Sequence, residues 1–204
     1  MLDMSTQSRR HPLSERGNDC YETPAVAVDA LLRVEKLPHR IWEPACGHGN
    51  IVNVLRRAGH EVVATDIADY GTPITPPGYW GRNFLLETSV PAGTGAIVPN
   101  PPFAIVGKFT RHALDLAPPM IVFLLRLAFM ETKGRSSILE GTGLARIHVF
   151  RNRLPMMHRA GWQGRKANSG MSFAWFVWER GYTGPTTIDR VSWERPSVDF
   201  GDKP

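Results

Sequence analysis

The sequence has few cysteines and no long apolar segment. Only two of its 204 residues are cysteine, Cys20 and Cys46, so the chain can build neither a disulfide framework nor a cysteine-based metal site. The longest apolar run, residues 120–125, is far shorter than the ~20 residues that a membrane helix requires. The polar start of the chain also lacks the apolar core of a signal peptide. We therefore expect a soluble, cytoplasmic protein without a membrane partner.

Acidic residues are missing from residues 141–178, although this span contains several arginines and a lysine. Its central part, residues 151–170, lies between two predicted strands and is predicted to be a long loop. The residues of this loop that we assign to nucleic-acid binding are Arg151, Arg153, Arg159, Arg165 and Lys166. A basic loop without acidic residues suits binding to a phosphate backbone, as does the formal net charge of +5. The alternative is an ordinary solvated face.

Composition and periodicity predict one α/β domain. Apolar residues make up 42% of the chain and charged residues 21%, which is typical of a globular domain with a sizeable core. Short apolar segments alternate with amphipathic ones, and this order predicts a parallel sheet with helices on both faces. The predicted strands are residues 41–42, 61–66, 95–98, 120–125, 147–150 and 172–178, and the predicted helices are residues 24–34, 50–58, 103–117 and 129–140. The last strand is strongly aromatic and is predicted to be antiparallel and buried.

The ends of two helices carry sequence signals. Thr23 is predicted to cap the first helix, with Pro24 at its first position, and Gly59 is predicted to end the second helix. Residues 1–18 are polar and basic and are interpreted as a flexible arm, and residues 181–204 as a peripheral tail. The domain is thus predicted to span residues 19–180, with no separate domain for recognition of a target sequence.

A glycine-containing turn follows the first predicted strand, in Trp42-Glu43-Pro44-Ala45-Cys46-Gly47-His48-Gly49-Asn50. Its glycines let the backbone approach a ligand at the N-terminus of the next helix. The third glycine of a dinucleotide site is missing, because Val52 stands there, and Glu43 would repel a pyrophosphate. A carboxylate at this point favours a cationic ligand. The alternative is a tight turn with a surface charge; Cys46 and His48 lack further metal ligands and are interpreted as loop residues.

A second motif, Asn100-Pro101-Pro102-Phe103, follows a predicted strand and begins a helix. Its prolines stiffen the turn and leave carbonyl groups available. An amine attached to an aromatic ring is a poor nucleophile, because its lone pair is delocalised. If the Asn100 side-chain oxygen and the Pro101 carbonyl accept its two hydrogens, and Phe103 stacks on the ring, the lone pair is directed at an electrophile. The alternative is a helix N-terminus that Asn100 caps.

Together, and in this order, the two motifs resemble those of S-adenosylmethionine-dependent amino-methyltransferases, and within them the adenine-N6 methyltransferases of nucleic acids. The resemblance covers residues 19–178 and implies an α/β, Rossmann-like class I methyltransferase fold, a mostly parallel twisted sheet with an antiparallel last strand. It implies S-adenosylmethionine as cofactor. The implied catalytic residues are Asn100, Pro101, Pro102 and Phe103. The implied cofactor-binding residues are Tyr21, Thr23, Pro24, Glu43, Ala45, Gly47, Gly49, Asp66, Asn83 and Phe84.

By this resemblance the chain would transfer a methyl group to the N6 amine of adenine in DNA, as a monomer or a homodimer. The target base would be flipped out of a duplex or taken from a single strand, and its sequence context would be short. An RNA adenine methyltransferase is the first alternative. A protein-glutamine methyltransferase is the second, although Tyr rather than Phe103 would then be expected. A non-catalytic nucleic-acid-binding relative is the third.

Overall fold

The computed structural model describes residues 22–74, 79–155 and 170–194. Within these residues a sheet of seven strands is flanked by α-helices. The strands are β1 (Arg40–Glu43), β2 (Glu61–Ala64), β3 (Ala96–Ile97), β4 (Met120–Arg126), β5 (Leu144–Phe150), β6 (Phe173–Glu179) and β7 (Thr187–Val191). The helices are α1 (Ala25–Val34), α2 (Asn50–Arg57), α3 (Val106–Asp115) and α4 (Ser136–Leu139). Short 3₁₀ turns cover Phe84–Leu86, Phe103–Ile105, Leu127–Glu131 and Lys133–Arg135.

The strands lie in the order β2-β1-β3-β4-β6-β5-β7. Strand β1 pairs in parallel with β2 and β3, and β3 pairs in parallel with β4. Strand β6 is inserted between β4 and β5 and is antiparallel to both. The predicted fold class, a mostly parallel sheet with an antiparallel last aromatic strand, is therefore confirmed in its main part. Because β1, β3 and β4 run the same way, their carboxyl ends open at one edge of the sheet.

The sheet is covered on both faces, which explains why its central strands are apolar along their whole length. On one face α1 and α2 contribute buried residues such as Leu31 and Leu55, which pack with Ile41 of β1. On the other face Phe109 of α3 packs with Phe123 of β4. Helices therefore hold both faces of the sheet, as the alternation of strands and helices predicts.

The tryptophans of the core bury their rings without losing their hydrogen bonds. Trp175 donates its indole N–H to the carbonyl of Ala27 at 2.9 Å, and Trp42 donates to Thr65 Oγ1 at 2.9 Å. A buried indole N–H without a partner would be costly. The aromatic residues of β6 are core residues, as predicted, and not an exposed stacking surface.

The predicted cap of α1 is wrong. The helix begins at Ala25 and is preceded by Pro24, whose backbone is extended with ψ 137° and which makes no side-chain capping bond. The first turn closes instead through the Pro24 carbonyl, which accepts the Ala27 N–H at 2.9 Å. The Thr23 side chain is buried and lines the cleft described below. Gly59, with φ 92°, follows α2 as predicted.

Two further predicted elements differ from the structure. The predicted helix at residues 129–140 is broken into 3₁₀ turns, and only Ser136–Leu139 is α-helical. Residues 187–191, which the sequence analysis assigned to a peripheral tail, form the edge strand β7, parallel to β5. Four of its five residues are exposed, so no apolar pattern marks this strand in the sequence. None of the described helices is long and apolar enough to cross a membrane.

Candidate functional site

A cleft lies at the edge of the sheet where the strands β1, β3 and β4 end. It opens to solvent, and its volume together with that of its open mouth is about 800 Å³. The predicted site residues that line it are Thr23, Glu43, Ala45, Gly47, Asp66, Asn83, Phe84, Asn100 and Pro102. These residues come from separate segments of the chain, and the fold brings them to one place. Pro24, Gly49, Pro101 and Phe103 are described but are not among the cleft-lining residues.

The glycine turn connects β1 to α2 and is tied to the end of β2. The Gly47 N–H donates to Asp66 Oδ2 at 2.8 Å, and the Cys46 N–H donates to the Thr65 carbonyl at 3.1 Å. Gly47 has φ 49° and Gly49 has φ 85°, conformations that residues with a side chain rarely adopt. The turn therefore holds a backbone that only glycine takes without strain.

A side chain at Gly49 would also meet Ile74, whose terminal methyl group would have to shift. A Cβ atom at this position would lie 2.0 Å from Ile74 Cδ1. Ile74 is held in place in part by Arg56, whose guanidinium donates to the Ile74 carbonyl at 3.0 Å. Gly49 thus packs against a neighbouring loop, and its N–H donates to the carbonyl of Cys46, a cleft-lining residue, at 2.7 Å.

Glu43 is a buried carboxylate at the floor of the cleft. Its exposed fraction is 2%, and Oε2 has no hydrogen-bond partner among the described residues. Burial raises the pKa of Glu43 well above its ordinary value, and the nearby Asp66 carboxylate raises it further, while a backbone hydrogen bond from Val52 acts in the opposite direction. A carboxylate that is desolvated in this way gains from a bound cation.

Asp66 lies beside Glu43 but is better compensated. Its Oδ2 accepts the Gly47 N–H, and its Oδ1 accepts the Ala68 N–H at 3.0 Å. Burial raises the pKa of Asp66, and these backbone hydrogen bonds oppose that rise. A carboxylate offers about four acceptor positions, so Asp66 retains capacity for hydroxyl groups of a ligand. The two carboxylates make the cleft attractive to a cationic ligand that also carries hydroxyl groups.

The opposite wall of the cleft is aromatic. Asn83 Oδ1 accepts the Leu85 N–H at 3.0 Å and so caps the 3₁₀ turn Phe84–Leu86. The Phe84 ring stacks on Phe109 with 4.2 Å between ring centroids and meets Trp42 edge-on at 5.3 Å. Asn83 therefore shapes the turn, and Phe84 gives the cleft a flat apolar wall.

The sequence analysis missed several residues of the cleft. His48 and Tyr70 both line it, and their ring centroids are 4.9 Å apart. Arg82 also lines it and forms an ion pair with Glu87, with Nε 2.8 Å from Oε1. Tyr70 and Arg82 fall in a loop rich in glycine and proline, where no periodic pattern indicates which side chains turn inward. Only the aromatic character of Tyr70 could have suggested that a residue of this loop lines the cleft.

The Asn-Pro-Pro-Phe corner follows β3, as predicted, and backbone hydrogen bonds fix the two residues that precede it. The Val98 N–H donates to the Trp42 carbonyl at 3.0 Å, and the Leu124 N–H donates to the Pro99 carbonyl at 3.1 Å. Asn100 lines the cleft, so it shares this space with Glu43. The predicted amide-bearing corner and the predicted cation site are thus brought together.

Phe103 has surroundings that the sequence did not indicate. Its ring lies 6.1 Å from the Phe173 ring, centroid to centroid, and the Arg126 guanidinium lies over it at 4.2 Å. One face of the ring is thus covered by a cation in this structure. Stacking of Phe103 on a substrate base stays a prediction.

Only part of the predicted basic loop falls within the described residues. Arg151 and Arg153 are exposed, and Arg153 donates to the Gly170 carbonyl at 2.9 Å. The residues that lie outside the described ranges are Tyr21, Arg159, Arg165 and Lys166. Among the described side chains, no group of three or more His, Cys, Asp or Glu could hold a metal ion.

Comparison with known proteins relates the chain to others through structure. No protein-family model matches it, and no curated protein matches its sequence. It is similar to a protein from Listeria monocytogenes described as a class I S-adenosylmethionine-dependent methyltransferase, with a TM-score of 0.56 and 13% identity over 85% of this chain and 65% of that one. A Pyrococcus horikoshii protein described as an RNA methyltransferase gives a TM-score of 0.58 and 13% identity, over 78% of this chain and 87% of its own.

A third similar structure is the modification subunit of a protein described as a type I restriction enzyme from Vibrio vulnificus. The TM-score is 0.55 and the identity 14%, over 91% of this chain and 49% of that subunit. The chain thus spans less than two thirds of the Listeria protein and about half of the Vibrio subunit. At these identities the similarity shows the fold, which is the Rossmann-like fold of class I methyltransferases.

Proposed function

We propose that this protein transfers a methyl group from S-adenosylmethionine to the N6 amine of adenine in DNA. S-adenosylmethionine is the cofactor expected of this fold. The observation that carries the proposal is that Glu43, a buried carboxylate with an unsatisfied oxygen, lines the same cleft as Asn100. The first suits a cationic cofactor and the second suits an amine substrate.

The charges and the aromatic residues of the cleft support binding of this cofactor. Glu43 would hold a positively charged group of the cofactor, because its carboxylate is buried and its Oε2 has no hydrogen-bond partner among the described residues. Asp66 would accept ribose hydroxyl groups through its remaining acceptor positions. Phe84 would pack against the adenine ring of the cofactor, and Asn83 would keep the Phe84–Leu86 turn in place. The other residues proposed to contact the cofactor are Tyr21, Thr23, Pro24, Ala45, Gly47 and Gly49.

The proposed chemistry rests on alignment. S-adenosylmethionine supplies a methyl group on a positively charged sulfur. Asn100 Oδ1 and the Pro101 carbonyl would each accept a hydrogen of the adenine amine, which directs the lone pair of N6 toward the methyl carbon. The cofactor would supply the methyl group for the new nitrogen–carbon bond, with the electrons of the broken carbon–sulfur bond going to sulfur and an N6 proton leaving to water. Pro102 would stiffen the corner.

The test offers methyl-labelled S-adenosylmethionine to DNA, RNA and protein in parallel and identifies the modified group. We expect N6-methyladenine in DNA. Asn100→Ala should lower the rate about a hundredfold or more, while cofactor affinity stays close to that of the wild-type protein. Asn53→Ala is a matched control, because Asn53 is exposed on α2. Wild-type turnover by Asn100→Ala would remove the catalytic assignment.

The second candidate is methylation of adenine in RNA, which the similarity to a protein described as an RNA methyltransferase favours. The same assay separates the two, since the label would then appear as N6-methyladenosine in RNA. Label in a glutamine amide of a protein would point to the third candidate. Neutralising Arg151, Arg153 and Arg159 together should weaken nucleic-acid binding and flatten its salt dependence; this loop has no such role if binding is unchanged.

A further inference from the structure

Arg126 differs from the other partly buried arginines of the protein. Six described arginines are partly buried, and five of them form ion pairs or donate hydrogen bonds to the protein. These five are Arg40, Arg82, Arg111, Arg135 and Arg146. The Nε of Arg126 is buried and has no hydrogen-bond partner within the described part of the chain. No described carboxylate pairs with its guanidinium either.

The guanidinium is held in place by an aromatic ring. It lies over Phe103, with 4.2 Å between the guanidinium carbon and the ring centroid. Phe103 packs in turn near Phe173, which is the partner of Arg126 in the pairing of β4 with β6. Stacking on a ring orients a guanidinium and leaves its N–H groups directed outward in the plane. This arrangement fixes the cation without satisfying its donors.

Arg126 is also placed beside the corner that carries Asn100. It is the last residue of β4, at the edge of the sheet where the cleft opens. Two residues earlier, the Leu124 N–H donates to the Pro99 carbonyl at 3.1 Å, so β4 runs alongside the corner. Phe103, the last residue of the corner, is the ring that Arg126 covers. The cation therefore lies against the last residue of the corner that carries Asn100, although neither Arg126 nor Phe103 is among the cleft-lining residues.

A partly buried cation loses hydration, and stacking on one ring offsets only part of that loss. The outward donors of a guanidinium match the oxygens of a phosphate, which they bind in a bidentate manner. We propose that Arg126 binds the phosphodiester next to the methylated adenine and so positions the base at Asn100. This inference rests on the proposed function, because it takes nucleic acid as the substrate. It makes Arg126 a substrate-positioning residue, with Phe103 as its support.

The experiment compares Arg126→Gln with Arg126→Lys and with the control Arg180→Gln. Arg180 is exposed and donates to the Ala117 carbonyl at 2.9 Å. Ala117 lies just before the start of β4, whereas Arg126 is at the other end of this strand. The control removes the same charge away from the cleft. Binding of a single-stranded and a duplex oligonucleotide is measured from low to high salt, and cofactor affinity and methylation rate are measured with the same proteins.

We expect Arg126→Gln to weaken oligonucleotide binding about tenfold and to reduce the slope of log affinity against log salt by about 0.9 for duplex or about 0.7 for a single strand. Cofactor affinity should not change. Arg126→Lys should recover the slope, because it keeps the charge, but not the full affinity, because it lacks the planar donor pair. Arg180→Gln should have the wild-type slope.

A wild-type slope for Arg126→Gln would overturn the proposal, since the residue would then only cover Phe103. If the wild-type protein binds nucleic acid without methylating it and Arg126→Gln reduces the slope, the phosphate contact stands and the proposed function fails. If the wild-type protein methylates DNA and the slope is unchanged, the proposed function stands and the Arg126 contact fails. A wild-type protein that binds no oligonucleotide overturns both.

Discussion

The protein buries two glutamates in opposite ways. Glu35, which follows α1, lies on the face of the sheet that α1 and α2 cover; its Oε1 is 2.6 Å from Arg146 Nε and 2.6 Å from His148 Nε2. Glu43, in the cleft, has an oxygen without a partner among the described residues. The exposed fractions are similarly small, 8% and 2%. The difference between the two sites is therefore in their partners and not in their burial.

The pKa values follow this difference. Burial raises the pKa of Glu35, but hydrogen bonds from His148 and Arg146 outweigh burial and lower it below its ordinary value. Burial raises the pKa of Glu43 well above the ordinary value, and Asp66 adds to the rise. The fold thus compensates one buried carboxylate with its own side chains, whereas the other keeps an oxygen without a partner among the described residues. Unpaired buried charges of the second kind are found at functional sites.

Glu35→Gln should have the largest effect on stability. The substitution keeps the shape of the side chain but leaves the Arg146 guanidinium without its main counter-charge, and breaking a buried ion pair in this way costs about 3–5 kcal/mol. The free energy of unfolding in urea at pH 7 measures the loss. Glu140→Gln, at an exposed position, is the control and should change stability by less than about 0.5 kcal/mol. A loss under about 1 kcal/mol for Glu35→Gln would mean that the Arg146 and His148 contacts do not compensate burial.

Glu43→Gln should stabilise the protein, whereas Glu35→Gln destabilises it, and should weaken cofactor binding. Removing the carboxylate should weaken binding of S-adenosylmethionine by about 2–5 kcal/mol, as expected for one member of a buried charge pair. The same substitution should stabilise the protein without cofactor, because a desolvated carboxylate is replaced by a neutral amide. Titration calorimetry and thermal unfolding measure the two quantities. Glu35→Gln serves as the matched control, since it should leave cofactor affinity unchanged; equal affinity in Glu43→Gln would remove the cation site.

The two carboxylates should also give stability a dependence on pH with two arms. The pKa of Glu35 is lowered in the folded state, so its contribution is present above the ordinary value of 4.5 and is lost as pH falls below it. The pKa of Glu43 is raised, so the stability that goes with its protonated form is present below 4.5 and is lost as pH rises through the raised value. The free energy of unfolding in urea, measured across this pH range, should test both contributions. Glu35→Gln should reduce the loss of stability toward acid pH, and Glu43→Gln should reduce the loss of stability toward alkaline pH. Parallel curves for the two variants would contradict the comparison.

The sequence predicted much of the Glu43 site and nothing of the Glu35 site. Glu43 precedes a glycine turn at the end of an apolar strand, so local spacing and residue type were enough to suggest a cation site. Glu35, Arg146 and His148 meet only through the tertiary fold, since 111 and 113 residues separate Glu35 from its partners. No periodic pattern links residues at such separations. Contacts of this kind become visible only in three dimensions.

The same reasoning explains the errors in the predicted elements. The Thr-Pro pair before α1 is typical of a capped helix, yet the tertiary structure buries Thr23 at the cleft and the cap is not made. Strand β7 is held by backbone pairing with β5 and exposes most of its side chains, so composition alone indicated a tail. Arg126 stacks on Phe103 across 23 residues of sequence, a contact that no local pattern indicates, and base stacking by Phe103 stays a prediction. Local signals predicted the order of elements, whereas their side-chain partners required the fold.

An exposed ion pair should contribute less to stability than the buried contacts of Glu35. Glu61 and Arg40 form a contact of 2.8 Å, but their side chains are 51% and 36% exposed. Water screens this pair, so Glu61→Gln should change the free energy of unfolding by only about 0.2–1 kcal/mol, and by less at high salt. Urea unfolding at low and high salt, beside Glu35→Gln, is the measurement. An equal cost for Glu61→Gln and Glu35→Gln would mean that pairing alone determines the effect. We expect a smaller cost for Glu61→Gln, because the exposed pair keeps most of its hydration whereas Glu35 is buried.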